Sequence, residues 1–283
     1  MKKFLLLCCV VLTAPILITS CKDDPAEPSG VMGPYFNTGE GSICIYSNYI
    51  LPTNSAIEQL DENDTLTQGS NSVVLAKNSK LMYHHFVNPF TLTSSTANYA
   101  IYEEANKGYV NSDFMKIFLP DFLQIAWNIV FDDDKWYLLV DDNAKSEWIL
   151  DSFALVNAAL PFPVLDSLGI SFDGNLNFGI KKGKDTTIAS ASAKASTFIM
   201  TIFFEGSIKS TIPEVQLVLL FFGKVRVDFV QTNFYLGPKK GLLGIYSPVQ
   251  DVKAYSIANP EVLNYPLTTN AGFDKRLISI DIK

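Results

Sequence analysis

The chain has 283 residues, a net charge of −7 and an apolar fraction of 48%. That apolar share is too high for a disordered chain, and the acidic balance weighs against binding nucleic acid or an anionic membrane face through bulk charge. The length suits one large β domain or two modest ones, with enough volume for a substantial core.

The N-terminus opens with Met1-Lys2-Lys3, followed by an apolar core from Phe4 to Ile18 that Pro15 interrupts. This core is shorter than the roughly 20 apolar residues of a bilayer-spanning helix. The small residues Thr19 and Ser20 then precede Cys21, as they would before a signal cleavage site. Leader, spacing and the Leu17-Ile18-Thr19-Ser20-Cys21 box together resemble a bacterial lipoprotein signal. The resemblance covers residues 1–24 and no family is recognised for the body. It implies removal of residues 1–20 and acylation of Cys21, so that the membrane is a partner through that residue. Each buried methylene contributes about 0.8 kcal/mol and a single chain holds only marginally. The two or three chains that the resemblance implies would hold the protein stably.

The next residues are Lys22-Asp23-Asp24. They are similar to the export tag of surface lipoproteins in Bacteroidota, which implies an outer-membrane location with display at the cell surface. Residues 21–33 include Pro25, Pro28, Ser29 and Gly30 and have no apolar periodicity, so they read as a flexible tether. The resemblance implies that Cys8 and Cys9 leave with the leader and that Cys21 is acylated. Cys44 is then alone in the alternating stretch Ser42–Tyr46, where it can form no internal disulfide and reads as a small buried hydrophobe.

The body, residues 34–283, is read as one β-rich exported domain, with a subdivision near 161–170 as an alternative. Short runs rich in β-branched and aromatic residues predict strands over 42–50, 72–77, 80–87, 98–103 and 136–140. A second series follows over 171–180, 186–193, 197–204, 216–222, 225–230, 234–236 and 277–282. Asn106-Lys107-Gly108, Lys182-Gly183-Lys184 and Pro238-Lys239-Lys240-Gly241 read as hairpin turns. The apolar run Val215–Phe222 reads as a buried central strand. Helical spacing of Phe114, Ile117, Phe118, Phe122, Ile125 and Ile129 predicts a helical insertion near 112–130, kinked or split at Pro120. The spacing of Ile149, Phe153, Val156 and Leu160 predicts another near 146–160. The expected fold is therefore mainly β, an antiparallel sandwich or barrel with one or two helical insertions.

Candidate chemistry is sparse. His84 and His85 are adjacent, and neighbouring strand residues face opposite ways, so one should meet the core and the other solvent. Asp132-Asp133-Asp134 and Asp141-Asp142 have oxygen ligands suited to calcium, but an intervening strand would separate them by about 20 Å. Asp173-Gly174-Asn175-Leu176-Asn177 begins like a calcium loop, yet Phe178 stands where a glycine belongs and Lys184 where the closing glutamate belongs. Its Asp-Gly-Asn segment reads as a turn. No Gly-x-Ser-x-Gly elbow, phosphate-cradling loop or zinc spacing occurs. No catalytic residue, metal or cofactor is assigned, and no nucleic acid partner is expected. Trp127, Trp136, Trp148, Tyr83, Tyr99, Tyr102 and Tyr109 are candidates for a sugar-stacking platform or an apolar pocket. The expected role is non-catalytic binding of a glycan, small apolar ligand or protein partner. An exported hydrolase using dispersed carboxylates and a structural envelope or pilus subunit are the alternatives.

If Cys21 is the anchor, Cys21→Ala should move the protein from the membrane fraction to the soluble fraction of lysed cells. Continued membrane retention would contradict acylation.

Overall fold

The computed structural model describes residues 34–36, 39–52, 56–88, 93–119, 128–159, 169–249, 251–257, 262–268 and 272–283. Fifteen strands and two short helices follow in chain order. They are β1 Ile43–Leu51, β2 Glu58–Val74, β3 Lys77–Val87, β4 Ser94–Glu104, β5 Lys107–Val110, α1 Ser112–Ile117, β6 Tyr137–Asp141 and β7 Trp148–Ala159. The second half comprises β8 Ile170–Lys182, β9 Thr186–Ile188, β10 Ala193–Ser210, α2 Pro213–Phe222, β11 Lys224–Gly237, β12 Gly241–Ser247, β13 Asp251–Ser256, β14 Val262–Thr268 and β15 Gly272–Asp281. Among the described residues no helix is long and apolar enough to cross a membrane.

Twelve strands run side by side in the order β6-β5-β4-β3-β2-β1-β15-β12-β11-β10-β8-β7. Neighbours along this path are antiparallel, so the mainly β expectation holds. Bulges at Ile45/Tyr46 and Ser47/Tyr49 in β1 and at Ile202/Phe203 in β10 supply the added twist and bend that let such a sheet curl. The curl brings β6 and β7, the two ends of the path, together as a nearly closed barrel.

Side chains close the remaining seam. The Trp148 indole donates to the Leu138 carbonyl at 2.7 Å, and Lys135 meets Asp151 at 2.8 Å. Below β6, the Phe131 ring wedges edge-on against Tyr137, Phe153 and Phe178, at 5.7, 5.5 and 5.1 Å. At the upper end, Asp142 accepts from the Tyr35 hydroxyl at 2.7 Å and from Lys182 at 3.2 Å. The Glu103 carboxylate in turn accepts the Tyr35 and Phe36 amides. The first described segment is thereby tied to both flanks of the seam.

Alternating inward residues fill the barrel: Leu176, Phe178 and Ile180 on β8, Phe198, Met200, Ile202 and Phe204 on β10, Phe234 and Leu236 on β11. The apolar space left between Leu66, Met82, Tyr99, Phe114 and Phe234 is only about 20 Å³. Among the described residues every buried member of the main apolar cluster lies between Tyr35 and Leu277.

Several local expectations are corrected. Residues 148–159 form β7, not a helix, because they pair with β8 and bury Leu150 and Leu155 while Ile149 and Val156 face solvent. The 3.6-residue spacing there is incidental. Residues 213–222 form α2, not a central strand. Pro213 fits the first helical turn, and Gly223 at φ +61° ends the helix where a side chain would be strained. The helix near 112–130 is described only as α1, Ser112–Ile117, and the kink expected at Pro120 lies outside the described residues. The strand expected over 72–77 is a hairpin: Leu75 and Ala76, at φ +46° and +59°, make the two-residue turn between β2 and β3.

Asp173-Gly174-Asn175 lies within β8, not at a turn. Gly174 stands directly opposite Gly206 of β10, and the Phe204 ring covers both. A Cβ on Gly206 would come within 2.6 Å of Gly174 Cα, so this crossing tolerates only glycine. Gly206→Ala should destabilise the fold by about 2 kcal/mol or more, as strained backbone sites do. Urea unfolding measures this, and an unchanged midpoint would contradict the close approach.

Candidate functional site

Three places gather chemistry-bearing side chains. The first is a cleft of about 420 Å³ on the outer face of the sheet. Its floor is set by register. Asn233, Tyr246, Asp274 and Tyr49 form one row across β11, β12, β15 and β1, and Tyr235, Gly244 and Arg276 form the next. Successive outward residues of each strand therefore converge. Gly244 makes the dent: a Cβ there would lie 2.8 Å from the Lys275 carbonyl oxygen and 3.5 Å from the Tyr235 ring. The opposite wall, Thr186–Ser190, comprises β9 and the turn after it. Ala193–Ala195 pair with β9 in a small ladder separate from the main sheet, which places this wall over the floor.

Tyr235 and Tyr246 are half-buried, offering ring surface and hydroxyls together. Burial pushes the Tyr235 phenol up, so it stays protonated and can donate. Arg276 Nε donates to Asp274 at 2.8 Å, and the guanidinium lies 4.3 Å above the Tyr49 ring. The arginine is thus held between the Asp274 carboxylate and the Tyr49 ring. The cleft combines ring faces, hydroxyls from Thr186, Thr187 and Ser190, a planar donor and one carboxylate.

The second place is a buried polar cluster inside the barrel. Asp64 is fully buried and faces Lys275, which is 5% exposed. Lys275 Nζ donates to Asp64, to the Asn48 side-chain oxygen at 3.2 Å and to the Val87 carbonyl at 2.9 Å. The other Asp64 oxygen accepts from Asn48 at 2.7 Å and from the Val87 amide at 2.8 Å. His84 Nε2 stands 3.7 Å from Asp64, and its Nδ1 finds no hydrogen-bond partner among the described residues. Burial alone would raise the Asp64 carboxyl, but the facing His84, the Lys275 ammonium and the Val87 amide hold it below the usual carboxylate range. Burial pushes His84 down, with Asp64 opposing, so the imidazole is neutral near pH 7. Burial also pushes Lys275 down, and Asp64 offsets part of that. The arrangement is a fully hydrogen-bonded ion pair with a neutral histidine beside it.

The third is an aromatic group on β4, β5 and the approach to β6. Tyr102 and Tyr109 stack at 4.5 Å, and Trp136 meets Tyr102 edge-on at 4.7 Å. Tyr102 is thus engaged by both neighbouring rings and by the Lys77 ammonium, 5.2 Å from its centroid.

The residues singled out in the sequence are thereby dispersed. Cys21, Lys22, Asp23, Asp24 and Trp127 lie outside the described residues. His84 is buried and His85 exposed against Glu62 at 3.0 Å, so the pair faces opposite ways. Cys44 is buried, and desolvation raises its thiol, which makes it a poor nucleophile. Asp133 is engaged by Ser112 and Lys116, Asp141 by Lys107 and Asp142 by Tyr35 and Lys182. Asp173 pairs with Lys209. Among the described residues no three His, Cys, Asp or Glu side chains gather as a metal site would require. Tyr99 is core, and Trp148 serves the seam. The cleft residues Tyr235, Tyr246, Asp274 and Arg276 escape a reading by motif. Only the i, i+2 pairs 244/246 and 274/276 hint at shared strand faces.

No family model matches the chain, and no curated protein matches it. Among solved structures it is similar to a candidate lipoprotein of Parabacteroides distasonis, at 9% identity and a TM-score of 0.39 over 89% of this chain and 100% of that one. A candidate exported protein with a YmcC-like fold from Bacteroides fragilis gives 6% and 0.36, over 87% and 98%. A candidate outer-membrane lipoprotein-sorting protein domain from Vibrio parahaemolyticus gives 10% and 0.20, over 87% and 86%.

Lys275→Met leaves Asp64 buried without its cation and should cost about 3–5 kcal/mol of stability, with much of the loss restored in the Asp64→Leu/Lys275→Met double variant. The pH dependence has a defined sign. Folding holds His84 below its unfolded value of about 6.5, so as pH falls through that value the unfolded chain takes up a proton that the native chain refuses. Stability should therefore decline from about pH 6.5 downward, and Asp64 should add to the loss below about pH 4. Urea melts across this range measure both steps. His84→Gln should remove the first, and a flat profile in the wild type would contradict the buried neutral histidine.

Proposed function

We propose that the protein is a lipid-anchored envelope protein, held by Cys21 at the outer membrane and displayed through Lys22-Asp23-Asp24, that binds a neutral oligosaccharide in its outer-face cleft. The observation that carries this reading is the cleft itself, with half-buried Tyr235 and Tyr246 beside the Asp274–Arg276 pair at about 420 Å³. That volume falls within the range of about 300–1,000 Å³ for small-molecule sites. Sugar rings present apolar C–H faces and a rim of hydroxyls. Tyrosine rings match the faces, while a carboxylate and a guanidinium held side by side match neighbouring hydroxyls. Because Asp274 and Arg276 neutralise each other, a neutral sugar suits the cleft better than a charged one.

Binding without turnover is supported by the carboxylate content. Glycoside hydrolysis uses two carboxyl groups about 5–9.5 Å apart. Among the described residues the cleft lining contains one, Asp274, already engaged by Arg276. An apolar ligand inside the barrel is less well supported, since the space among Leu66, Met82, Tyr99 and Phe234 is about 20 Å³.

Titration calorimetry of the unlipidated chain from Lys22 with hexasaccharides of glucose, mannose, xylose and N-acetylglucosamine tests the reading. At least one should bind. Tyr246→Ala should weaken it about tenfold, equivalent to about 1.4 kcal/mol, while Tyr83→Ala, away from the cleft, should leave it unchanged. Silence across the panel, or affinity indifferent to Tyr246→Ala, would count against the cleft.

A further inference from the structure

The buried Asp64–Lys275 pair lies directly behind the cleft. Ile245, Lys275 and Asn48 form an inward row across β12, β15 and β1. It runs between the outward row of Tyr246, Asp274 and Tyr49 and the outward row of Gly244 and Arg276. The Lys275 carbonyl bounds the dent at Gly244, and Lys275 itself separates Asp274 from Arg276 in the chain. A void of about 10 Å³ is lined by Asn48, Val87 and Lys275 from the cluster and by Tyr49 and Asp274 from the cleft floor. The two sites therefore share strands, and Asp274 and Lys275 border both.

At this level side chains fasten what the ladder does not. β1 and β2 lose register between Ser47 and Tyr49, where Asn48 alone stands against residues 60–62. The Asn48 amide bridges the gap, donating to the Glu62 carbonyl at 3.0 Å and to Asp64 at 2.7 Å. Lys275 ties β15 to the same carboxylate and to the end of β3 at the Val87 carbonyl. Through Asp64, the β1–β15 pair is thus fastened to β2 and β3, and Asp274 and Arg276 take their places from it.

The Asp64 oxygen that accepts Lys275 is also the one that His84 Nε2 faces at 3.7 Å. Asp64 of β2 and Lys275 of β15 are the charged groups that face the imidazole. Tyr99 of β4 meets it edge-on, Phe86 lies against it, and Tyr46 of β1 borders Asp64. His85 faces outward beside Glu62. The His84 Nδ1 has no hydrogen-bond partner among the described residues, so a charged ring would depend on Asp64 alone.

We propose, on the reading of the cleft as a binding site, that Asp64, Asn48 and Lys275 position its floor and that His84 switches this device with pH. At neutral pH the imidazole is uncharged, because burial holds it below its ordinary value, and Lys275 has the shared oxygen to itself. In acid below about pH 6.5 the ring takes up a proton and becomes a second cation on that oxygen. The two like charges oppose each other in one buried site, and Lys275, on the longer and more flexible side chain, gives way. β15 loses its fastening, and Asp274 and Arg276 leave the geometry they hold beside Tyr49 and Tyr246. The cleft holds its sugar at neutral pH and releases it in acid.

The chain has two histidines, His84 and His85, and two arginines, Arg226 and Arg276. NMR of the full-length protein in detergent, with both residue types isotope-labelled, therefore reads the device atom by atom. From about pH 7.5 to about pH 5.5 the Arg276 Nε–H signal should move with the midpoint of the His84 ring and not with that of His85. The Arg226 Nε–H, bonded to Asp228 at 2.8 Å away from the cleft, should stay in place. His84→Gln should hold the Arg276 signal still across this range, and so should Asp64→Leu/Lys275→Met. For any sugar of the panel that binds, affinity should fall about tenfold or more over the interval in the wild type and stay level in His84→Gln. A stationary Arg276 signal while His84 titrates would overturn the inference. So would a His84 ring that stays neutral until the protein unfolds, or an Arg276 shift that survives His84→Gln. Silence across the sugar panel would remove the oligosaccharide and leave the arginine signal to decide the coupling.

Discussion

A sheet of twelve strands whose first and last members are joined by only six residues must either splay open or bring β6 and β7 together. β6 has five residues and β7 has twelve, so backbone pairing cannot zip the whole length. The seam is closed instead by one indole hydrogen bond, one ion pair and one phenylalanine wedge: Trp148 to Leu138, Lys135 to Asp151, and Phe131 among Tyr137, Phe153 and Phe178. What the rest of the molecule can do depends on that closure. Side chains just fill a barrel of about eight strands, and a twelve-stranded one is wider, so large residues must occupy it. Here Phe198, Phe204 and Phe234 take the central space.

With the interior filled, chemistry is left to two kinds of place. Inside, charge survives only where every oxygen and proton is met, as in the Asp64–Lys275 pair with Asn48 and Val87. Such a cluster contributes little net stability over an apolar one, but losing one member is expensive because the other stays buried. Outside, the curl of the sheet and the overhang of Thr186–Ser190 produce a concavity where a flat sheet would have none. The same strands then carry two distinct surfaces: a polar aromatic cleft over β11, β12 and β15, and an apolar tip at α2.

How much of this was legible in the chain depends on which side chains face inward. The strands with apolar inward faces, β1, β3, β8 and β10, follow from alternation alone. Most of β2 did not, because its inward residues include Asp64 and Gln68 beside Leu66, so a buried ion pair hides the pattern that marks a strand. An apolar octamer such as Val215–Phe222 has no period to separate strand from helix. Pro213 before it and Gly223 after it were the local signals for a helix. The opposite error at 146–160 arose from four apolar residues at helical spacing, two of which, Ile149 and Val156, point into solvent. The cleft was illegible because Thr186, Tyr235, Tyr246 and Arg276 meet only through the neighbour order β11, β12, β15. That order is a property of the closed sheet and not of any segment.

The seam can be probed at a single atom, the Trp148 indole proton. Its exchange with deuterium, followed by NMR in the folded protein, reports whether the hydrogen bond to Leu138 holds β7 against β6. A proton protected as strongly as the core amides of β10 is expected, since its release requires the barrel to open. Exchange as fast as that of a solvent-exposed indole would mean that the seam stands open and the interior is accessible. Closure would then no longer explain why the cleft of about 420 Å³ lies on the outer face.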